Sequence, residues 1–286
     1  MTQIFFDPKS LKKGHFFKLK GHIQTLAKET YELEEWLGRG GNASVFRCVQ
    51  SSTGDEFAIK FLMQPNKVSR ARFMREVRLL NGLVDDHIVR YIGTGRALVS
   101  GKSNIHKLPF LIMELAEDNL QTIMKENDYK INYEYYAGQF RGLARALAKL
   151  HEKAIHRDIK PENILVSGNR WILSDYGLCS FVEEDEEEFS EGSLNMGPKY
   201  WLSPEGHSRR LGCGDVMNES SDVFQLAAIF WYVATGRHPS GILKPEDWTG
   251  PNKLYEFLER CLLHNRENRP TNGQDFLTRL EEALVA

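Results

Sequence analysis

The chain has 286 residues, with 37 lysines and arginines against 39 acidic residues and a formal net charge of −2. That balance argues against a generally basic nucleic-acid binder, while 41% hydrophobic and 27% charged content is ordinary for a soluble enzyme. The length suffices for two lobes around a sizeable core. The cysteines, Cys48, Cys179, Cys213 and Cys261, are widely spaced and make no C-x-x-C pair. This pattern fits a reduced, cytoplasmic setting better than a disulfide framework or a zinc site.

Residues 1–30 are basic and aromatic, with Phe5, Phe6, Lys9, Lys12, Lys13, Phe16, Phe17, Lys18 and Lys20. Their apolar residues form no continuous run, so no signal peptide is expected. The segment reads as an extension packed on the following lobe or partly disordered, or as a docking arm for a regulatory partner or for the acidic run 183–188. Residues 31–37 and 43–49 are predicted strands around a turn containing Gly38, Gly40 and Gly41, where glycine lets backbone N–H groups approach a phosphate. The alternating run 56–62 predicts a third strand carrying Lys60. A lysine among apolar residues is costly to bury without a partner. The predicted helix 68–81 offers Glu76.

An apolar strand running into a connector is predicted over 108–116. A helix follows over 133–153, with Ala137, Phe140, Leu143, Ala144, Leu147 and Leu150 at near-helical spacing. It leads into His156-Arg157-Asp158-Ile159-Lys160-Pro161-Glu162-Asn163. Here a carboxylate, an ammonium and a carboxamide stand together on one short loop. A carboxylate can orient a hydroxyl and take its proton, an ammonium can neutralise phosphate charge, and a carboxamide oxygen can ligate Mg²⁺. Twelve residues past Asn163 comes Asp175-Tyr176-Gly177, preceded by Trp171-Ile172-Leu173. A run of six carboxylates, 183–188, precedes Ser190 and Ser193. Like-charge repulsion makes a solvated loop the plain reading of that run. Cys179 reads as an ordinary cysteine in the absence of a lowered pKa. The apolar run 226–235 is too short to cross a bilayer, which takes about 20 residues, and reads as a buried helix. No membrane anchor is expected.

These motifs and their order resemble the eukaryotic-type (Hanks-type) serine/threonine protein kinase family, from about residue 31 to 284. The loop 156–163 resembles H-R-D-x-x-x-x-N, and 175–177 resembles D-F-G with tyrosine for phenylalanine. Gly38, Gly40 and Val45 match the glycine-rich loop, with Ala43 in place of its third glycine. Ser203-Pro204-Glu205 resembles A-P-E. Ser221-Asp222-Val223-Phe224-Gln225-Leu226 resembles the start of the central helix, whose Asp222 would accept backbone hydrogen bonds from the catalytic loop. Arg269 resembles the late arginine that pairs with Glu205.

The resemblance implies an α+β, bilobal fold: an N-terminal extension (1–30), a β-rich small lobe with one main helix (31–115) and a mainly helical large lobe (116–286). It implies ATP and Mg²⁺ as cofactors, bound between the lobes, and a protein substrate. Asp158 would be the base and Lys160 the cation at the transferred phosphoryl group. Asn163 and Asp175 would hold metal. Lys60, fixed by Glu76, would hold the α- and β-phosphates. Val45 and Ala58 would cover the adenine, Leu165 would lie beneath it, Met113 would border its pocket, and backbone groups of Glu114 and Ala116 would bond its edge. Ser190 and Ser193 would be phosphorylation candidates, with Arg157 as the cation that a phosphate or the acidic run would meet. Lys160 favours serine or threonine as acceptor, whereas Pro198 and Trp201 look more like the tyrosine-kinase pattern. A tyrosine or dual-specificity kinase, and a nucleotide-binding pseudokinase scaffold, are the alternatives.

Overall fold

Period-two alternation shapes the first part of the chain. In β4 (Ala43–Gln50) and β5 (Glu56–Leu62) one side carries Phe46, Cys48, Phe57, Ile59 and Phe61, all buried. The computed structural model describes residues 3–5, 21–40, 43–100, 105–181 and 200–284. The chain divides into two compact units, one of Met1–Gly82 with Val89–Ala116, the other of Leu83–Ile88 with Glu117–Ala286.

The first unit is a seven-stranded sheet in the order β1-β6-β7-β5-β4-β3-β2. Its other strands are β1 (Gln3–Phe5), β2 (Gly21–Gln24), β3 (Thr30–Gly40), β6 (Tyr91–Ser100) and β7 (Ile105–Glu114). Only β1 with β6 pairs in parallel among these neighbours. Tyr31, Phe46, Phe57, Phe61 and Phe110 fill its core, with Phe61 touching both Phe46 and Phe110 at ring-centroid distances of 5.9 Å. The helix α1 (Lys67–Leu80) starts at Asn66, whose side chain accepts from the Ser69 N–H at 2.8 Å. It turns Phe73, Val77, Leu79 and Leu80 inward and lies against β5 and β6.

Two features of this unit bear on the sequence reading. The ladder runs on through Gly38↔Val45, Arg39↔Ser44 and Gly40↔Ala43, so Gly38 and Gly40 belong to β3 rather than to the turn. Neither glycine has positive φ. The pairing shifts register between Leu33 and Trp36 and again between Trp36 and Gly38, irregularities that bend a strand and increase its local twist. Second, residues 1–30 contribute β1 and β2, which stand at the two ends of the strand order. The Leu26 N–H then donates to the Thr94 carbonyl on β6 at 2.9 Å.

The second unit holds six of the seven α-helices among the described residues. They are α2 (Leu120–Glu126), α3 (Tyr133–His151), α4 (Pro204–Arg210), α5 (Glu219–Thr235), α6 (Asn252–Cys261) and α7 (Gly273–Leu284). Small strands accompany them: β8 (Asp118–Asn119), β9 (Ala154–Ile155), β10 (Ile164–Ser167), β11 (Arg170–Leu173) and β12 (Ser180–Phe181), paired as β11-β10-β8 and β12-β9. The core joins three helices and a strand. Phe140 of α3 stacks on Phe230 of α5 at 3.7 Å and meets Trp171 of β11 at 6.3 Å, while Phe230 meets Phe276 of α7 at 5.8 Å. Most of the apolar run 226–235 is buried within α5, from Leu226 to Val233. That helix stops at Gly236, whose φ of +71° suits glycine and whose missing Cβ leaves room for the Tyr129 carbonyl. No helix among the described residues is long and apolar enough to cross a membrane. The expected α+β class is the observed one.

Candidate active site

In the first unit, β5 presents Lys60 between buried Ile59 and Phe61. Its ammonium donates to both carboxylate oxygens of Glu76 on α1, at 2.7 and 2.9 Å. The lysine side chain is 12% exposed and that of the glutamate 3%, so each charge depends on the other in a poorly hydrated setting. Strand register brings further predicted residues alongside. Val45 lies opposite Lys60, and Ala58 lies opposite Met113. Glu114 closes β7, with its N–H on the Arg90 carbonyl at 3.0 Å and its carboxylate accepting from the Arg90 N–H at 2.7 Å. Ala116 is the last residue of this unit. Gly38 and Gly40 face open space on β3, where an added Cβ would meet nothing within 4 Å.

In the second unit, Asp158, Lys160 and Asn163 converge. The Lys160 ammonium and the Asn163 amide both donate to Oδ2 of Asp158, each at 2.9 Å, and the same amide also donates to the Asp158 carbonyl at 2.8 Å. Among the described residues no donor reaches Oδ1 of Asp158. Burial pushes the Asp158 carboxyl up, and the Lys160 ammonium opposes that rise. Ser174, just before Asp175, ties the Asp-Tyr-Gly turn to the loop. Its N–H and its hydroxyl both donate to the Asn163 carbonyl at 2.9 Å. Leu165 is half-buried on β10, opposite Ile172 and Asn119.

The tyrosine of the Asp-Tyr-Gly triplet needs a partner for its hydroxyl, and it has one. Tyr176 is fully buried and donates to the Leu173 carbonyl at 3.0 Å, while its ring sits 4.9 Å from that of His156. His156 accepts from the Asp158 N–H through Nδ1 and so donates from Nε2 to the Ser174 carbonyl at 3.2 Å. Burial pulls its pKa down, which keeps the ring neutral near pH 7. Arg157 and Asp175 have φ of +69° and +60°. A side-chain-bearing residue in that region costs about 1–3 kcal/mol, a strain that concentrates at functional sites.

The backbone is held from α5. Asp222 is fully buried and accepts from the His156 and Arg157 N–H groups at 2.6 and 2.8 Å. Two residues to which the sequence reading gave no role complete this arrangement. His151 accepts from the Gly273 N–H at 2.8 Å through Nδ1 and donates to Asp222 from Nε2 at 3.1 Å. Gln225 accepts from the Ile159 N–H at 3.2 Å. A glutamine among the apolar neighbours Val223, Phe224, Leu226 and Ala227 was the available signal for the second. His151 had none, because its partners are distant in sequence.

Farther along, Ser203 caps α4 by accepting from the Gly206 N–H, and Glu205 on that helix meets Arg269. Burial pushes the Glu205 carboxyl up, but hydrogen bonds from Arg269 and Ser221 outweigh it and hold the group below its ordinary value. Trp201 packs on Tyr232 at 5.3 Å and on His238 at 4.7 Å. Cys179 is buried, and all four cysteines are free thiols. Ser190, Ser193, Pro198 and the run 183–188 lie outside the described residues. No group of three or more His, Cys, Asp or Glu among the described residues is placed to hold a metal by itself.

A model of the protein kinase domain matches residues 31–280. The chain is 28% identical over 277 residues to a probable serine/threonine-protein kinase PknB of Bifidobacterium longum, covering 88% of this chain and 39% of that protein. It is 28% identical over 259 residues to mitogen-activated protein kinase kinase kinase 3 of Arabidopsis thaliana, covering 83% and 43%. A probable serine/threonine-protein kinase PknB of Corynebacterium glutamicum is 28% identical over 219 residues, covering 74% and 32%. The chain thus spans less than half the length of these curated relatives.

Proposed function

The chain belongs to the protein kinase domain family, and from that membership we propose that it transfers the γ-phosphate of ATP to serine or threonine hydroxyls of protein substrates. The observation that carries the proposal is the Asp158 carboxylate. Both of its neighbouring donors, Lys160 and Asn163, fall on Oδ2. Oδ1 is thereby left to accept the proton of an incoming hydroxyl and to hold that hydroxyl's oxygen in line. Lys160, already beside this carboxylate, is within reach of the same hydroxyl's phosphoryl partner and offsets its charge. Such catalysis rests on positioning and electrostatics rather than on a covalent intermediate.

The remaining groups suit a metal-bound nucleotide. The Asn163 amide is committed to Asp158, which assigns its carbonyl oxygen to a hard cation. Asp175 adds a carboxylate. One or two protein oxygens are what Mg²⁺ takes when waters and phosphate oxygens complete its octahedron. When bound, the metal neutralises charge on the phosphates. Lys60, oriented by Glu76, holds the α- and β-phosphates, and Val45, Ala58, Met113, Glu114, Ala116 and Leu165 accommodate the base. Gly38 and Gly40 leave the β3 backbone open to the phosphates, having no side chain to obstruct them. Ser190 and Ser193 are proposed acceptors of regulatory phosphate, with Arg157 as its cationic partner. A cytoplasmic setting accords with the free thiols.

The test compares wild type with Asp158→Asn in labelled ATP, Mg²⁺ and a basic protein substrate, with phosphosites mapped by mass spectrometry. Label on serine or threonine in the wild type alone is the expected result. Mainly phosphotyrosine would overturn the acceptor assignment. Equal labelling by both proteins would overturn the role of Asp158. Nucleotide binding without turnover would leave a scaffold.

A further inference from the structure

Four successive backbone donors in the catalytic loop are satisfied by side chains instead of by a ladder or helix. The N–H groups of His156 and Arg157 go to Asp222, that of Asp158 goes to Nδ1 of His156, and that of Ile159 goes to Oε1 of Gln225. Asp222 and Gln225 stand three positions apart on α5 and so share a face of that helix. Both are fully buried.

Gln225 is an expensive choice at its position. Val223, Leu226, Ala227, Ala228 and Ile229 around it in the helix are buried and apolar. Its Nε2 donor is buried with no hydrogen-bond partner among the described residues. An apolar side chain of similar length would remove that unsatisfied donor. A residue that breaks the local packing rule in this way points to a task elsewhere. The peptide plane before Asp158 is pinned by its own N–H on His156. The plane after it is pinned by the Ile159 N–H on Gln225. Peptide units are rigid, so anchoring the two planes that flank one Cα fixes that residue's φ and ψ together. Asp222 acts upstream of Asp158, and Gln225 closes the downstream side.

We propose that Gln225 is a positioning residue for Asp158, holding the Ile159 amide so that the carboxylate keeps one orientation. The inference rests on the reading of Asp158 as the base. Because Gln225 acts through the backbone, its loss should alter turnover more than nucleotide affinity or stability.

The test uses Gln225→Met and Gln225→Leu, which fill the space and remove the acceptor. Four quantities are read: the exchange rate of the Ile159 amide by NMR, kcat and the ATP KM for protein phosphorylation, and the melting temperature. In the wild type the Ile159 amide should be protected. In the variants it should exchange at least about tenfold faster, and kcat should fall about tenfold, with the ATP KM within about twofold. The melting temperature should change little, because losing the unsatisfied Nε2 donor is offset by leaving the buried Ile159 N–H without its acceptor. A wild-type Ile159 amide that exchanges freely overturns the anchor without recourse to any variant. Faster exchange with unchanged kcat overturns the positioning role, as does a kcat loss that only follows a lowered melting temperature. If the wild type shows no Asp158-dependent transfer, the proposed reaction fails. In that case Ile159 exchange alone decides whether Gln225 holds the loop.

Discussion

Glu205 and Arg269, 64 residues apart in sequence, meet through two hydrogen bonds of 3.0 Å from the guanidinium to the two carboxylate oxygens. The arginine side chain is fully buried. It also donates to the carbonyls of Leu263, His264 and Ser220, and its charged carbon lies 5.0 Å from the Phe224 ring. Ser221 donates to the same carboxylate at 2.6 Å. The pair thus binds α4, α5 and the segment before α7 into one polar knot, with bidentate geometry that a lysine cannot reproduce.

Arg269→Met strands the Glu205 carboxylate in the interior with Ser221 as its remaining side-chain donor. Breaking a buried pair from one side costs about 3–5 kcal/mol. Urea unfolding at pH 7 should show a loss of that order. A loss under about 1 kcal/mol would mean that the pair behaves as a surface ion pair.

Lys160→Met should change the pH profile as well as the rate. Burial raises the Asp158 carboxyl, and Lys160 opposes the rise. Without the ammonium the carboxyl titrates at higher pH, so the base loses its proton later as pH increases. The acid limb of kcat/KM should move upward, alongside a fall of about 10²-fold at pH 8. An unmoved or downward-shifted limb would separate Lys160 from the titration of Asp158.

Glu76→Gln tests the other unit. The substitution keeps an oxygen beside Lys60 but removes the charge that offsets the ammonium. The lysine then gains freedom and loses its fixed aim. Phosphorylation kcat/KM should fall about 10²-fold while the protein stays folded by circular dichroism. A change under about threefold would show that Lys60 needs no such partner.

Gly142→Ala probes packing in the second unit. A Cβ at this position in α3 would lie 2.1 Å from the His87 ring. That ring cannot swing away freely, because its Nδ1 bonds the Trp171 carbonyl at 2.7 Å. Overpacking of this kind costs about 1–3 kcal/mol. The loss should shrink when His87→Ala is added, and equal losses in the single and double variants would show that the ring is not the obstacle.

What could be read from the residues in order was whatever is encoded locally. Alternation placed β5, helical spacing placed α3, and the chemistry of 156–163 marked the loop that unites Asp158, Lys160 and Asn163. Lys60 demanded a partner for a reason visible in its apolar neighbours, and Glu76 stood within the next helix. Boundaries were less legible. Gly38 and Gly40 read as a turn because glycine permits one, yet the cross-strand ladder to Val45 and Ala43 kept them in β3.

Only the tertiary structure decided matters that depend on partners far apart in the chain. It assigned residues 83–88 to the second unit, where the His87 carbonyl accepts from the Leu173 N–H at 2.8 Å. It set β1 and β2 at opposite ends of one strand order. It brought His151 and Gln225 beside Asp222 under the 156–163 loop. Periodicity tells which face of an element is buried, but not which polar group waits there. That depends on the requirement that every buried donor and acceptor find a partner, and the partner is chosen by the packing of the whole unit.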